Sequence, residues 1–226
     1  HSRKGNYVAW DYGYNLLNSC EPHAIIFTNG DNDTFPLWYL QEVENIRKDI
    51  KVVNLSLLNT PWYIEQLIND DPKLNIKFDS AILRDDLYRI ESDYLISTDE
   101  GYKLCSKEFQ GVIPWDVLDC NLHIDESTTF DFKVPSYHQQ VLRIQDYMIL
   151  EILDNIDSTR PIYFAVTVSP SNRMGLEPYL EMEGLVYRIS NEKTKEGQIS
   201  PRLNYNKMEQ NITQTSNDSF IIYNSS

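Results

Sequence analysis

The sequence has few of the cysteines that stabilise very small or metal-dependent folds. Its 226 residues include only three cysteines, Cys20, Cys105 and Cys120, and these form neither a C-x-x-C pair nor an even set. Their spacing favours neither a structural zinc site nor a disulfide framework. Gly and Pro are also scarce, at 8 and 10 residues, whereas 41% of the chain is hydrophobic. The composition predicts a globular chain with a sizeable core.

Positive charge is scarce as well. The chain carries 20 Lys and Arg against 34 Asp and Glu, which gives a formal net charge of -14 at pH 7. Because so acidic a surface repels phosphate backbones, nucleic acid is not a predicted partner. The sequence contains no G-x-S-x-G or H-E-x-x-H string. We therefore assign no catalytic residue from sequence motifs.

Long apolar runs are missing too. No stretch approaches the roughly 20 apolar residues that a membrane-spanning helix needs, so we expect the piece in hand to be soluble. The sequence opens at His1 without an initiator Met or a signal peptide, and it stops just after the apolar group 220–223. We expect an excised segment of a larger protein.

The first 71 residues predict alternating helices and strands. Residues 6–18 have helical periodicity, and residues 24–28 form an apolar run without alternation, which is typical of a strand buried on both faces of a parallel sheet. A second helix is expected with Thr34 or Asp33 as its cap, Pro36 in its first turn, and an apolar stripe at Leu37, Leu40, Val43 and Ile46. A buried strand at 51–55 and a helix at 61–68 follow.

The same pattern returns after a less regular middle region. A helix is predicted over 141–156 and a third buried strand over 162–168. This order predicts an α/β fold, a doubly wound, mainly parallel Rossmann-like sheet with an α+β insertion. We expect a single domain over residues 1–226, with a core at 5–71 and 136–190, an insertion at 72–135, and a polar C-terminal segment at 191–226 that includes a hairpin or loop at 191–200.

The loop 29–34 is the sharpest local feature. It contains Asn29, Asp31, Asn32, Asp33 and Thr34, and it lies between a predicted strand and a helix N-terminus, where ligands collect in open α/β sheets. Two carboxylates at this spacing can share Mg²⁺, Mn²⁺ or Ca²⁺, which makes Asp31 and Asp33 candidate metal ligands. The same residues also act as turn formers and helix caps. Both interpretations remain open.

Two motif analogies apply to this loop. Asp31, Asp33 and Thr34 match the letters of the Asp-x-Asp-x-Thr signature of haloacid-dehalogenase-type phosphatases. That signature places its nucleophile at the strand end, however, whereas Asn29-Gly30 intervenes here. The Asp-x-Asp motif of nucleotide-sugar transferases, which holds a diphosphate through a cation, is the second analogy, and a three-residue motif often occurs by chance.

The other predicted strand ends supply further candidate ligand-binding residues. Amide, aromatic, hydroxyl and guanidinium groups suit a sugar or a peptide, since rings stack on C–H faces and amides bond hydroxyls. Packing of Trp62 and Tyr63 under their loop, and a surface ion pair for Arg173, are the competing interpretations. These candidates are Trp38, Asn59, Trp62, Tyr63, Ser169, Asn172 and Arg173.

Several strings resemble a known family. The run Tyr12 to Asn18, the segment Ala24 to Glu42, and the later strings 52–64, 160–164 and 184–188 are similar to a bacterial family of multi-pass membrane glycosyltransferases related to the protein O-mannosyltransferases. The resemblance covers most of the chain and is weakest in the middle. The resemblance implies that this chain is the soluble region of such a protein and lies on the extracytoplasmic, periplasmic side of the membrane. It also implies that the catalytic acidic residue lies in the membrane region of the protein.

The resemblance therefore implies an accessory domain that binds or positions an acceptor polypeptide or glycan. Its partners would be that acceptor and its own membrane-embedded region, and in isolation it would be noncatalytic. A divalent-metal-dependent phosphoryl or glycosyl transferase that uses the Asp31 and Asp33 loop is the alternative. A structural docking module is the second alternative.

Overall fold

The computed structural model describes residues 7–76, 94–98, 101–105, 112–114, 122–123, 129–130, 141–142, 144–155, 160–190 and 192–213. These residues belong to two compact units. The first unit comprises residues 1–54, 160–169 and 177–226, and the second comprises 55–159 and 170–176. The domain boundaries expected from the sequence stay a prediction.

The first unit is built on a six-stranded mixed sheet. Its elements are α1 (Val8–Asn18), β1 (Ile25–Thr28), α2 (Asp31–Glu42), β2 (Lys51–Asn54), and, further along the chain, β9 (Ile162–Ala165), β10 (Leu180–Met182), β11 (Val186–Ile189), β12 (Arg202–Leu203) and α5 (Tyr205–Thr213). The strand order is β12-β10-β11-β9-β1-β2. The three adjacent strands β9, β1 and β2 run parallel, with β2 at the edge of the sheet, whereas β11 pairs antiparallel with β9. The predicted α/β fold with a mainly parallel sheet is confirmed.

In the described part of the second unit there are two α-helices and two antiparallel sheets. Its elements are α3 (Pro61–Asn69), β3 (Tyr94–Thr98), β4 (Gly101–Cys105), β5 (Val112–Pro114), β6 (Leu122–His123), β7 (Thr129–Phe130), β8 (Val141–Leu142) and α4 (Ile144–Asp154). The larger sheet has the order β5-β4-β3-β8, and the smaller one pairs β6 with β7.

Complete burial explains the apolar composition of the three parallel strands. Every residue of β1, β2 and β9 is buried, including the polar Thr28 and Asn54 at the ends of β1 and β2. Strands covered on both faces need apolar side chains at successive positions, so they lack the alternation of a half-exposed strand. Lys51 begins β2, whereas Thr28 and Asn54 end β1 and β2 at the carboxyl edge, where ligands bind in such a sheet.

Several predicted boundaries are wrong. The second helix begins at Asp31 with Gly30 as its N-cap, so neither Thr34 nor Asp33 is the cap, and Pro36 lies inside the helix. It ends at Glu42 because left-handed backbone at Asn45 and Arg47 turns the chain away. Val43 is consequently 62% exposed, and Ile46 lies beyond the helix.

Two later elements also differ from the prediction. Val141 and Leu142 do not begin a helix, because they pair with β3 as strand β8, and α4 starts at Ile144. The strand β9 ends at Ala165 rather than at Val168, because the Val168 N–H donates to the Ala165 carbonyl and closes a turn. The polar segment 192–200 has no helix or strand, which fits the loop interpretation and not the hairpin.

The helices α1 and α2 pack closely at a glycine. A Cβ atom at Gly13 would stand 3.0 Å from Leu40 Cδ1 and 3.3 Å from Pro36 Cβ. Leu40 is fully buried, so its methyl group has little room to withdraw. Gly13 thus sets how near the two helices approach, although glycine is otherwise unfavourable inside a helix.

We predict that Gly13→Val lowers the free energy of unfolding by about 2 kcal/mol, because overpacking a tight core forces side chains and backbone apart. Urea denaturation measures the change. Ala9→Val, at an exposed position of the same helix, is the matched control for helix propensity and should cost less than about 1 kcal/mol. Equal losses in the two variants would show that the contact at Gly13 is not tight.

Candidate functional site

A buried carboxylate organises the loop that follows β1. The Asp33 side chain is only 6% exposed, and its Oδ1 accepts the Gly30 N–H at 2.9 Å. Its Oδ2 accepts the Asn29 N–H at 2.8 Å and the Thr167 hydroxyl at 2.6 Å. Asp33 is the third residue of α2, where a carboxylate can satisfy N–H groups before the helix and also complements its dipole. This side chain therefore links the loop to Thr167, two residues after the end of β9.

A second set of hydrogen bonds joins the ends of β1 and β2. The Thr34 hydroxyl donates to the Gly30 carbonyl at 2.6 Å and accepts from the Asn54 amide at 3.0 Å. The Thr28 and Thr34 hydroxyl oxygens lie 2.7 Å apart. We call Thr28, Asp33, Thr34, Asn54 and Thr167 the strand-end network. These residues are brought together because the carboxyl ends of three parallel strands meet at one edge of the sheet.

Tyr12 of α1 approaches the same network. Burial raises the pKa of Tyr12; the Thr167 side chain lowers it, and the negative charge of Asp33 raises it. The phenol therefore stays protonated at neutral pH and does not act as a base. The network holds its polar groups in fixed positions and presents no activated nucleophile among the described residues.

The outward side of the loop has a different character. Asp31 and Asn32 are exposed and Asn29 is half-buried, whereas Asp33 and Thr34 are buried. Trp38 is half-buried and stacks on Phe35 with a ring-centroid distance of 5.6 Å. Asp31 and Asn32 are therefore the loop side chains most accessible to a ligand.

The metal hypothesis for Asp31 and Asp33 stays a prediction. Both oxygens of Asp33 already accept protein hydrogen bonds. Within the described ranges, no three His, Cys, Asp or Glu side chains come close enough to hold a metal ion. Asp33 thus has the geometry expected of the capping interpretation, although as the third helical residue rather than as the cap itself.

The remaining predicted residues have separate surroundings. Ser169 belongs to the first unit, whereas Asn59, Trp62, Tyr63, Asn172 and Arg173 belong to the second. The Asn59 side-chain oxygen accepts the Gln145 N–H at 3.0 Å, and its amide donates to the Gln145 side chain at 3.0 Å. This pairing satisfies an N–H in the first turn of α4, which is a capping task.

The two aromatic residues at the start of α3, Trp62 and Tyr63, have different surroundings. Tyr63 is 1% exposed and Trp62 is 48% exposed, with their rings in an edge-to-face contact at 5.6 Å. Tyr63 therefore packs in the core, whereas Trp62 presents a ring to solvent. Arg173 is 6% exposed, so it does not lie on the surface as the ion-pair interpretation assumed. Asn172 is half-buried in a 3₁₀ turn at Pro170–Asn172.

A family model described as TMEM260-associated domain 2 matches residues 9–115 and 116–211. The chain belongs to this family. No curated protein and no solved structure matches it. The matched segments include Tyr12 and every member of the strand-end network. None of the helices in the described ranges has the length and the apolar composition needed to cross a membrane.

This member of the TMEM260-associated domain 2 family has a second buried carboxylate, Glu183, which follows β10. Its side chain is 2% exposed; Oε1 accepts the Asn204 amide at 3.2 Å and lies 3.9 Å from Arg188 Nη1. Burial raises the pKa of Glu183, and the positive charges of Arg188 and Lys207 only partly oppose this. Arg188 lies nearer to Glu21, at 2.9 Å.

The raised pKa of Glu183 predicts a pH-dependent stability. The folded state holds the Glu183 proton more tightly than the unfolded state does. Its contribution is therefore complete below the unfolded pKa of about 4.5 and is lost as the pH rises through the higher folded pKa. We predict that the free energy of unfolding of Glu183→Gln increases relative to that of the wild type as the pH rises through this range. Denaturation at a series of pH values from 4 to 8 measures the difference, and a gap that shrinks as the pH rises would contradict the assignment.

Sequence reasoning missed Tyr12, Thr28, Asn54 and Thr167. A partial signal was present for two of them, because Thr28 and Asn54 are the polar last residues of otherwise buried strands. Thr167 is a polar residue in the turn after β9, inside the stretch that was predicted as strand. Its partner Asp33 lies 134 positions away in sequence, and no local pattern indicates this pairing.

Proposed function

We propose that this chain is an extracytoplasmic accessory domain of a membrane-embedded glycosyltransferase. It binds or positions an acceptor polypeptide or glycan and carries no catalytic residue of the transfer. Its partners are the acceptor and the membrane-embedded region of its own protein. The chemistry of sugar transfer belongs to that membrane-embedded region.

Family membership is the observation that carries this proposal. The matched segments cover most of the chain, and the TMEM260 family is reported as O-mannosyltransferase-like. The resemblance of the loop 29–34 and its flanking strand and helix to bacterial membrane glycosyltransferases points to the same chemistry. An accessory role follows because that resemblance implies a catalytic acidic residue in the membrane region.

The strand-end network supports a positioning role. Hydrogen bonds within the first unit occupy both oxygens of Asp33 and the hydroxyl of Thr34. A loop held in this way presents Asp31 and Asn32 on a fixed backbone. Fixed side chains can orient an acceptor and thereby accelerate a reaction without transferring a proton.

Sugar transfer by the full-length protein that carries this chain tests the proposal. We expect Asp31→Ala/Asn32→Ala to raise the acceptor KM by about three- to tenfold while kcat stays unchanged, because the variant removes binding and not chemistry. Glu196→Ala, at another exposed acidic position, should change neither constant. A large fall in kcat with an unchanged KM would place the loop in the chemistry and contradict the proposal.

A further inference from the structure

A surface groove with a volume of about 820 Å³ lies along α1 and α2 of the first unit. Its walls include four aromatic side chains, Tyr7, Trp10, Phe35 and Tyr39, and two carboxylates, Asp11 and Glu44. The volume falls within the range of about 300–1,000 Å³ that is usual for binding pockets. None of these six residues is among those predicted from the sequence, and the strand-end network does not line the groove.

The aromatic rings of the groove are accessible. Tyr7 is 58% exposed, Phe35 51% and Tyr39 49%. The Trp10 ring stacks on Tyr14 with a centroid distance of 4.9 Å and an interplanar angle of 10°, which restrains its orientation. Several exposed rings that share one concave surface are more often a recognition site than isolated surface residues are.

The described residues that line the groove carry charge of one sign. No Lys or Arg is among them, and within the described part of the chain no basic side chain forms an ion pair with Asp11 or Glu44. Glu44 lies close enough to Tyr39 to raise the pKa of its phenol, which places this carboxylate beside the aromatic surface. Carboxylates next to exposed ring faces attract cations, since both the charge and the quadrupole of the rings favour them.

We propose that this groove binds a basic polypeptide segment, with Lys or Arg side chains over the aromatic rings and beside Asp11 and Glu44. The negative charge of the groove favours a basic polypeptide over the other candidate ligands. A second copy of this chain also carries a net charge of -14 and would be repelled, as would an anionic glycan or a lipid phosphate. A neutral glycan would leave the negative charges of Asp11 and Glu44 without a positive partner. The inference stands on the groove itself and does not depend on the glycosyltransferase proposal.

Three decapeptides of equal length test the proposal with the 226-residue chain. The probes are (Lys-Pro)₅, (Ser-Pro)₅ and (Glu-Pro)₅, which share an extended proline-rich backbone and differ in charge. We expect calorimetry to show that (Lys-Pro)₅ binds at least about tenfold more tightly than (Ser-Pro)₅ and that (Glu-Pro)₅ does not bind. The affinity for (Lys-Pro)₅ should also fall as the salt concentration rises.

Two variants with the same net charge locate the site. Asp11→Asn/Glu44→Gln should weaken (Lys-Pro)₅ binding by about tenfold and reduce its salt dependence. Glu192→Gln/Glu196→Gln removes two exposed carboxylates elsewhere and should leave binding within about twofold. Trp10→Ala should also weaken binding by about tenfold, whereas Trp10→Phe keeps a ring and should retain most of it. Circular dichroism verifies that each variant is folded.

Several results would overturn the inference. These are equal affinity for the three peptides, no peptide binding at all, or an equal loss in the two charge variants. Binding of mannotriose that depends on Trp10, without binding of (Lys-Pro)₅, would assign the groove to a neutral glycan instead. The acceptor KM of the full-length protein tests the proposed function and is measured separately from peptide binding. Failure of this inference is therefore distinguishable from failure of the proposed function.

Discussion

Replacing Arg47 with alanine is expected to lower the free energy of unfolding by about 3 kcal/mol. Its Nη1 donates to the carbonyls of Leu17 and Cys20 at 2.8 and 3.1 Å, and its Nη2 donates to the Glu21 carbonyl at 3.2 Å. These carbonyls belong to the last turn of α1 and the residues after it, where helical N–H donors run out. The Leu17 carbonyl also accepts the Cys20 N–H at 3.2 Å. Arg47→Ala would leave them without this donor, and urea denaturation would measure the loss.

The same side chain also holds Asp49. Arg47 Nε and Nη2 donate to the two Asp49 carboxylate oxygens at 3.0 and 3.1 Å. Burial raises the pKa of Asp49, but hydrogen bonds from the Arg47 side chain and the His23 N–H, together with the Arg47 charge, outweigh it and lower the pKa overall. The stability from Asp49 is therefore present above its unfolded pKa and lost as the pH falls through the folded one. Arg47→Ala should weaken this acid-side dependence.

Lys48→Ala is the matched control for Arg47→Ala. Lys48 is the next residue, its side chain is 51% exposed, and it lies 3.8 Å from Glu42. An exposed ion pair of this kind contributes less than about 1 kcal/mol. If both variants lost the same small amount of stability, the cap formed by Arg47 at the end of α1 would have no measurable value.

Asp33→Ala is the second change with a large expected effect, a loss of about 3 kcal/mol. It removes the acceptor of the Asn29 and Gly30 N–H groups and of the Thr167 hydroxyl. Chemical denaturation should show the loss. Amide exchange at Asn29 and Gly30 should also accelerate, because the loop is no longer held.

Asp31→Ala provides the control, since it removes an exposed carboxylate from the same first turn of α2. It loses only the interaction with the helix dipole, about 0.3–1 kcal/mol. A larger loss for Asp31→Ala than for Asp33→Ala would refute the capping geometry. Stabilisation of the wild type by Mn²⁺ or Ca²⁺, abolished by Asp31→Ala, would support the metal hypothesis instead.

The three parallel strands and the helices could be predicted from the sequence, because buried segments have recognisable local patterns of apolar residues. Three runs of apolar residues without alternation became β1, β2 and β9, and proline at the first position of α3 marked its start. The errors occur where another part of the chain decides the outcome. Pro36 is accommodated inside α2 at its close approach to Gly13 of α1, a fact that no local pattern contains.

The candidate site was only partly predictable for the same reason. The loop 29–34 was identified from its position between a buried strand and a helix. Asp33, however, is held through a hydrogen bond from Thr167, which is distant in sequence. The aromatic groove was missed because its residues are divided between two helices, and periodicity within one helix does not show which rings share a surface.

Sugar transfer with and without this chain tests the central claim most directly. The membrane-embedded region that the proposed function assigns to the full-length protein is expressed alone and compared with the full-length protein over a range of acceptor concentrations. If the chain positions the acceptor, its removal raises the acceptor KM by about tenfold or more and leaves kcat at saturation within about threefold. Complete loss of kcat at saturating acceptor, in a membrane region that still binds its sugar donor, would contradict the account and place catalytic groups within this chain.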